Sequence, residues 1–176
     1  MKSITNPRFL FLVTAILVAA MSRIFPHIPN FTPIAAMALF GGAHFKDKAS
    51  AVLVPLIAMF LSDCVIQLTT GTRFHNTLIP VYFSIALISF IGMYVKRNIT
   101  FQSVLIGSLV SSVLFFVITN FAVWAACCYD QGFKGLVTTY ILGIPFFGPT
   151  VAGDLFFNGI LFGSFYFAQK RIPSLI

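Results

Sequence analysis

The sequence predicts an all-α, polytopic membrane protein with six transmembrane helices in a single domain over residues 1–176. Three observations lead there. Hydrophobic residues make up 59% of the chain and charged residues only 9%, and the mean hydropathy of +0.97 is far above what a soluble domain of this length needs. The apolar residues run in long continuous stretches, which fit helical spans; barrel strands would alternate over about 10 residues each. The basic residues stand at the ends of those stretches and not in one soluble patch, so the pI of 9.7 speaks of membrane topology and excludes a nucleic-acid partner.

The first helix covers 9–25, after Lys2 and Arg8. A basic start and the run LVAA also fit a signal peptide. Arg23 directly after that cleavage point argues against one, and losing the helix would spoil the charge pattern below. The stretch 23–43, RIFPHIPNFTPIAAMALFGGA, carries more than a connector needs. Pro26, Pro29 and Pro33 stiffen the backbone and block helix continuation. Arg23 and His27 bring charge, and Asn30 and Thr32 bring hydrogen bonds. Thr32-Pro33 reads as the N-cap and first residue of a second helix over 33–45. That helix is about 20 Å long, less than a full hydrocarbon core. A third helix covers 49–68, with Pro55 as a kink point, and a polar loop follows over 69–76. The fourth helix covers 77–95 and closes on Lys96-Arg97; the fifth covers 101–125. A second polar loop over 127–134 leads to a short helical or interfacial segment, 135–144, broken by Pro145. Gly148-Pro149 reads as a turn, and the sixth helix covers 150–169, closed by Lys170-Arg171.

Six alternating spans make the topology a matter of counting. With a cytoplasmic N-terminus, the inner segments hold Lys2, Arg8, Lys46, Lys48, Lys96, Arg97, Lys170 and Arg171, eight of the eleven basic residues. The outer segments hold Arg23, Arg73 and Lys134. The positive-inside rule therefore places both termini in the cytoplasm of a cell whose inner membrane holds the chain. Asp63, Asp130 and Asp154 fall toward the outer side, and only Asp47 falls inside.

Polar residues within spans are costly and face a cavity or the bundle interior. Here they gather at one depth. Asp63 lies about two turns from the outer end of its helix, roughly 9 Å deep, and Asp154 about one turn into the sixth helix. Asn120 and Trp124 sit near the outer end of the fifth, and Arg23, His27, Asn30 and Thr32 follow the first. Helical spacing aligns Asp63 with Gln67, Asp154 with Asn158, and Phe116 with Asn120 and Trp124. The expectation is an outward-facing pocket for a small molecule, lined by Arg23, His27, Asn30, Thr32, Asp63, Asn120, Trp124 and Asp154. The competing expectation is an Arg–Asp network that only locks the bundle. Small-xxx-small spacings occur at Ala15/Ala19, Gly107/Ser111 and Gly159/Gly163, and allow close helix contact. Cys64 lies in a span and Cys127 and Cys128 are adjacent, so the three cysteines form no disulfide framework. The sequence has no metal-ligand spacing and implies no metal or cofactor.

The segments PNFTPIAAMALFGGAHF, LSD (61–63), TNFAVW (119–124) and GDLFFNGILFG (153–163) resemble a family of small uncharacterised bacterial membrane proteins, over most of the chain. More distantly, the six-helix plan resembles the S components of energy-coupling-factor vitamin transporters. That resemblance implies an S-component-like bundle that binds a vitamin or metal at the outer face. It implies docking through an AxxxA pattern in the first helix, matched by Ala15 and Ala19, on a transmembrane scaffold driven by ATPase subunits. No GxxxxGK[ST] loop is present, so partners would supply the energy.

The functional expectation is thus a substrate-binding membrane subunit of an uptake transporter and not an enzyme. A non-transporting scaffold of the cell envelope is the alternative. An aspartyl membrane protease would need YD and GxGD motifs; Gly153-Asp154 is only a fragment of the second, and Tyr129-Asp130 lies in a loop.

Overall fold

A computed structural model describes residues 6–25, 28–71, 78–126 and 131–175. It contains six α-helices: α1 (Pro7–Met21), α2 (Ile34–His44), α3 (Lys48–Thr70), α4 (Leu78–Val95), α5 (Phe101–Ala125) and α6 (Phe133–Arg171). Five of them are long and apolar enough to cross a membrane, and α2 is the short exception.

Local chemistry sets most boundaries. Asn6 accepts a hydrogen bond from the Arg8 N–H, and Pro7 takes the first position of α1, where its missing donor costs nothing. The helix tightens into a 3₁₀ turn, Ser22–Ile24, which carries Arg23. Asp47 caps α3, accepting from the backbone N–H and the hydroxyl of Ser50 at 2.8 Å each. The N–H of Ser50 is the larger of the influences that hold this carboxyl below the usual carboxylate range. Gly71 closes α3 in the left-handed conformation, φ 67°. Thr100 and Ser103 form a reciprocal capping box on α5.

The short helix α2 is the centre of the molecule. It touches each of the other five helices, and every residue from Ala35 to His44 is buried. Its small residues let neighbours come close. A Cβ on Gly42 would stand 2.8 Å from Gly92 Cα of α4, and Gly41 faces the Pro55 ring of α3. Leu12, Ile16, Phe40, Leu161 and Phe165 pack on one side of α2 with α1 and α6. Leu39, Met59, Ile85 and Ile88 pack on the other side with α3 and α4. Large apolar side chains such as Leu53, Ile57, Phe83, Phe90 and Phe167 remain on the outside.

Two expectations need correction. Thr32 does not cap α2: the helix starts at Ile34 after Pro33, with no capping side chain from its own segment. Nor do Pro145 and Pro149 divide the last helical region, since α6 runs unbroken from Phe133 to Arg171. Each proline removes only one backbone hydrogen bond, and α5 lies along both halves. Phe116 meets Tyr140 and Phe147 on either side of Pro145, at centroid distances of 5.8 and 5.0 Å. Gly143 makes room for the Asn120 amide between them. At about 1.5 Å per residue α6 is about 58 Å long, more than the whole thickness of a bilayer, about 40–45 Å. Set in a bilayer, a helix of that length would project beyond it or cross it at a tilt.

Candidate functional site

The end of α1, the start of α2, the end of α3, the start of α4 and the end of α5 meet at one end of the bundle, and the first half of α6 joins them. They enclose a cavity of about 420 Å³. Ile34, Ile66, Leu78, Val81, Phe115, Phe116, Val123 and Phe146 give it apolar walls. Arg23, Asn30, Thr32, Asp63, Gln67, Tyr82, Thr119, Asn120 and Thr150 supply the polar groups.

The centre of that polar set is an ion pair. Arg23 Nη1 donates to Asp63 Oδ1 at 2.7 Å, and the two side chains keep 13% and 17% of their surface exposed. The same nitrogen lies 2.5 Å from Ser62 Oγ and 3.0 Å from Met59 Sδ. Tyr82 OH donates to the second carboxylate oxygen at 2.9 Å. One carboxylate thus ties the turn after α1 and the start of α4 to α3. Asn120 stands across the cavity; its Nδ2 donates to the Phe116 carbonyl one turn back, at 2.8 Å. Asn30 takes a left-handed backbone conformation, φ 64°, which asparagine tolerates better than most residues, and this turns the chain into α2. Among the described residues no three His, Cys, Asp or Glu side chains gather as a metal site.

Five of the residues expected from the sequence, Arg23, Asn30, Thr32, Asp63 and Asn120, therefore share one cavity. His27 lies outside the described residues. Trp124 stands beyond the lining, half-buried against Phe121 with ring centroids 5.4 Å apart.

Asp154 is elsewhere, and it is explained by a different task. It is the 22nd residue of α6 and not one turn from its start. Only 1% of it is exposed. Its Oδ2 accepts from Ser112 Oγ of α5 at 2.6 Å, and its carboxyl faces the backbone N–H groups of Ala35 and Ala36. Asp154 is thus the missing cap of α2, supplied from another helix. Gly153 beside it has no side chain because the Phe31–Thr32 backbone lies against it; a Cβ there would stand 2.9 Å from Thr32 N. Asn158, one turn on, donates to Ser108 Oγ at 3.0 Å, so Asp154/Asn158 and Ser112/Ser108 form a polar seam between α6 and α5.

The opposite end of α2 is treated in kind. Arg8 Nη2 lies 3.4 Å from the His44 carbonyl and Lys96 Nζ 2.5 Å from the Phe45 carbonyl. Two cations at its C-terminus match the macrodipole of this buried helix. His44 itself is enclosed by Phe40, Phe162 and Phe165, with ring centroids 4.5, 5.0 and 4.5 Å away.

Ala19 is buried in the core beside α2, and Ala15 packs against the same cluster.

A model described as a family of unknown function (DUF6580) matches residues 3–175. The chain belongs to that family. The DUF6580 match covers the cavity, the Asp154 cap and both ends of α2. No curated protein matches the chain, and no solved structure does.

Tyr82 is a cavity residue that the sequence expectation omits. It lies about one turn inside α4, at the level of Asp63, so the depth rule that gathers the other polar residues applies to it as well. Ser112 and Ser108 give no such signal, since a serine in an apolar helix usually bonds to its own backbone.

Proposed function

We propose that the chain is a substrate-binding subunit of a small-molecule uptake system, set in the cytoplasmic (inner) membrane with both termini in the cytoplasm. The observation that carries this reading is the 420 Å³ cavity at one end of the bundle, apolar in its walls, with the Arg23–Asp63–Tyr82 network on one side. Most binding sites for small molecules combine an apolar enclosure with a few fixed polar groups. The orientation is supported by Arg8 and Lys96 meeting at the end opposite the cavity, where Lys170 and Arg171 close α6. On the positive-inside rule that end faces the cytoplasm and the cavity faces out. A transmembrane scaffold and ATPase subunits, as in energy-coupling-factor systems, belong to the same proposal.

The test is thermal unfolding of the purified protein against a panel of vitamins, amino acids and other small metabolites. A bound compound at a hundred times its Kd adds about 2.7 kcal/mol of stability. Asp63→Asn is expected to remain folded and to lose that ligand-dependent gain. The scaffold reading makes the opposite forecast. There the carboxylate only locks the bundle, Asp63→Asn strands a largely buried cation at a cost of about 3–5 kcal/mol, and no compound stabilises the wild type.

Topology has its own check. In a variant without the natural cysteines, a cysteine at Gln131 is expected to react with a membrane-impermeant reagent added to intact cells, and one at Arg97 is not. The reverse pattern would turn the cavity toward the cytoplasm.

A further inference from the structure

We propose that the cavity is shaped for a zwitterion of the amino-acid type, with a carboxylate and an ammonium close together on an apolar body. This rests on reading the cavity as a ligand site, and it names the ligand's chemistry.

The first observation is how Arg23 is used. All three of its hydrogen bonds leave from Nη1. Among the described residues Nε and Nη2 donate to nothing, although the side chain lines the cavity and only 13% of it is exposed. A guanidinium offers its donors in a rigid fork that suits a carboxylate held by two parallel bonds. With Nη1 taken by Asp63, the Nε–Nη2 edge is the part of the fork left for a second carboxylate.

The second observation is Asp63. Each of its oxygens accepts one bond, from Arg23 and from Tyr82, where a carboxylate has room for about four. It therefore keeps acceptor capacity at the cavity wall, which an ammonium can fill.

The third is charge balance. Among the described lining residues Arg23 and Asp63 are the only ions, and they cancel. More than half of the remaining lining is apolar, Phe115, Phe116, Phe146 and Val81 among it. A ligand with net charge would leave one ion uncompensated in an apolar enclosure, which is costly. A zwitterion adds one charge of each sign and leaves the site neutral. Its apolar body faces the aromatic walls.

The experiment uses the full-length protein in lipid nanodiscs and calorimetric titration. The probes are L-tryptophan, L-phenylalanine and L-leucine. Each is paired with its primary amide, which lacks the carboxylate, and its N-acetyl derivative, which lacks the ammonium. At least one amino acid is expected to bind, and both of its derivatives at least about tenfold more weakly, because each leaves a site group unpaired. Arg23→Lys is expected to narrow the gap between acid and amide, and Asp63→Asn the gap between free amine and N-acetyl compound. The wild-type series decides the question even where a variant fails to fold. If an amide or N-acetyl derivative binds as tightly as its parent, the cavity remains a ligand site and the zwitterion inference falls. The same holds if none of the three amino acids binds while another class of compound stabilises the protein. If no compound of any class binds, both readings fall together.

Discussion

Replacing Asp154 with alanine is expected to destabilise the protein by at least about 2 kcal/mol, since the change leaves two buried backbone donors without the carboxyl they face, at about 1–3 kcal/mol each. Those donors are the N–H groups of Ala35 and Ala36; the Ser112 hydroxyl keeps the Ser108 carbonyl as an acceptor at 3.1 Å. The N–H groups belong to the first turn of α2, which has no cap of its own. Asp154→Asn keeps an acceptor oxygen at the same place, so its cost is smaller, about 1–2 kcal/mol. Reversible unfolding in mixed micelles, followed by far-ultraviolet circular dichroism, measures both. An alanine variant within about 0.5 kcal/mol of wild type, the range of ordinary surface changes, would remove Asp154 from the account of how α2 is held.

The second large effect is expected where α2 crosses α4. A methyl group on Gly42 would press on the Ser89 carbonyl and Gly92 Cα, and one on Gly92 would press on the Leu39 carbonyl and Gly42 Cα. These are backbone atoms that no rotamer change can move, so the helices must separate and core packing is lost along both. Gly42→Ala and Gly92→Ala are each expected to cost about 3 kcal/mol, the upper end of overpacking effects. Gly159→Ala and Gly163→Ala are the controls. A Cβ at either position meets nothing within 4 Å, and each change should stay within about 0.5 kcal/mol. Equal behaviour of the two pairs would mean that the α2–α4 contact is looser than described.

That contrast shows what is legible in the sequence. Gly159-xxx-Gly163 matches a packing motif, yet its glycines meet no neighbour, while the tightest contact joins Gly42 to Gly92, fifty residues apart in helices with no shared motif. Spacing along one helix reveals a small-residue face but not what lies against it. Depth is more informative. Distance from a helix end is a property of the sequence, and it is enough to bring Arg23, Asp63 and Asn120 to one cavity. It fails for Asp154 because Pro145 and Pro149 read as breaks, which puts the start of the last helix too late. The packing of α5 along both halves keeps that helix continuous, and no local signal announces such support. The buried state of α2 is only half legible. Its length shows that it cannot span by itself, but two of its main partners, α4 and α6, are far away in sequence.

The trans capping of α2 has a consequence for how the protein is made. The ribosome releases α2 early, and Asp154 lies 110 residues beyond His44. Until it arrives, an eleven-residue helix in the proposed bilayer setting is too short to cross and has exposed donors that lipid cannot satisfy. The longer helices can insert as they emerge, each with its own backbone bonds complete. The segment around α2 must wait near the headgroups, or partly unwound, until α6 closes the bundle. In that setting maturation is all-or-none: a chain interrupted after α5 has four of its five long apolar helices and no means of seating the one at its centre. A nascent chain of this kind is exposed to membrane quality control until its last helix is in place.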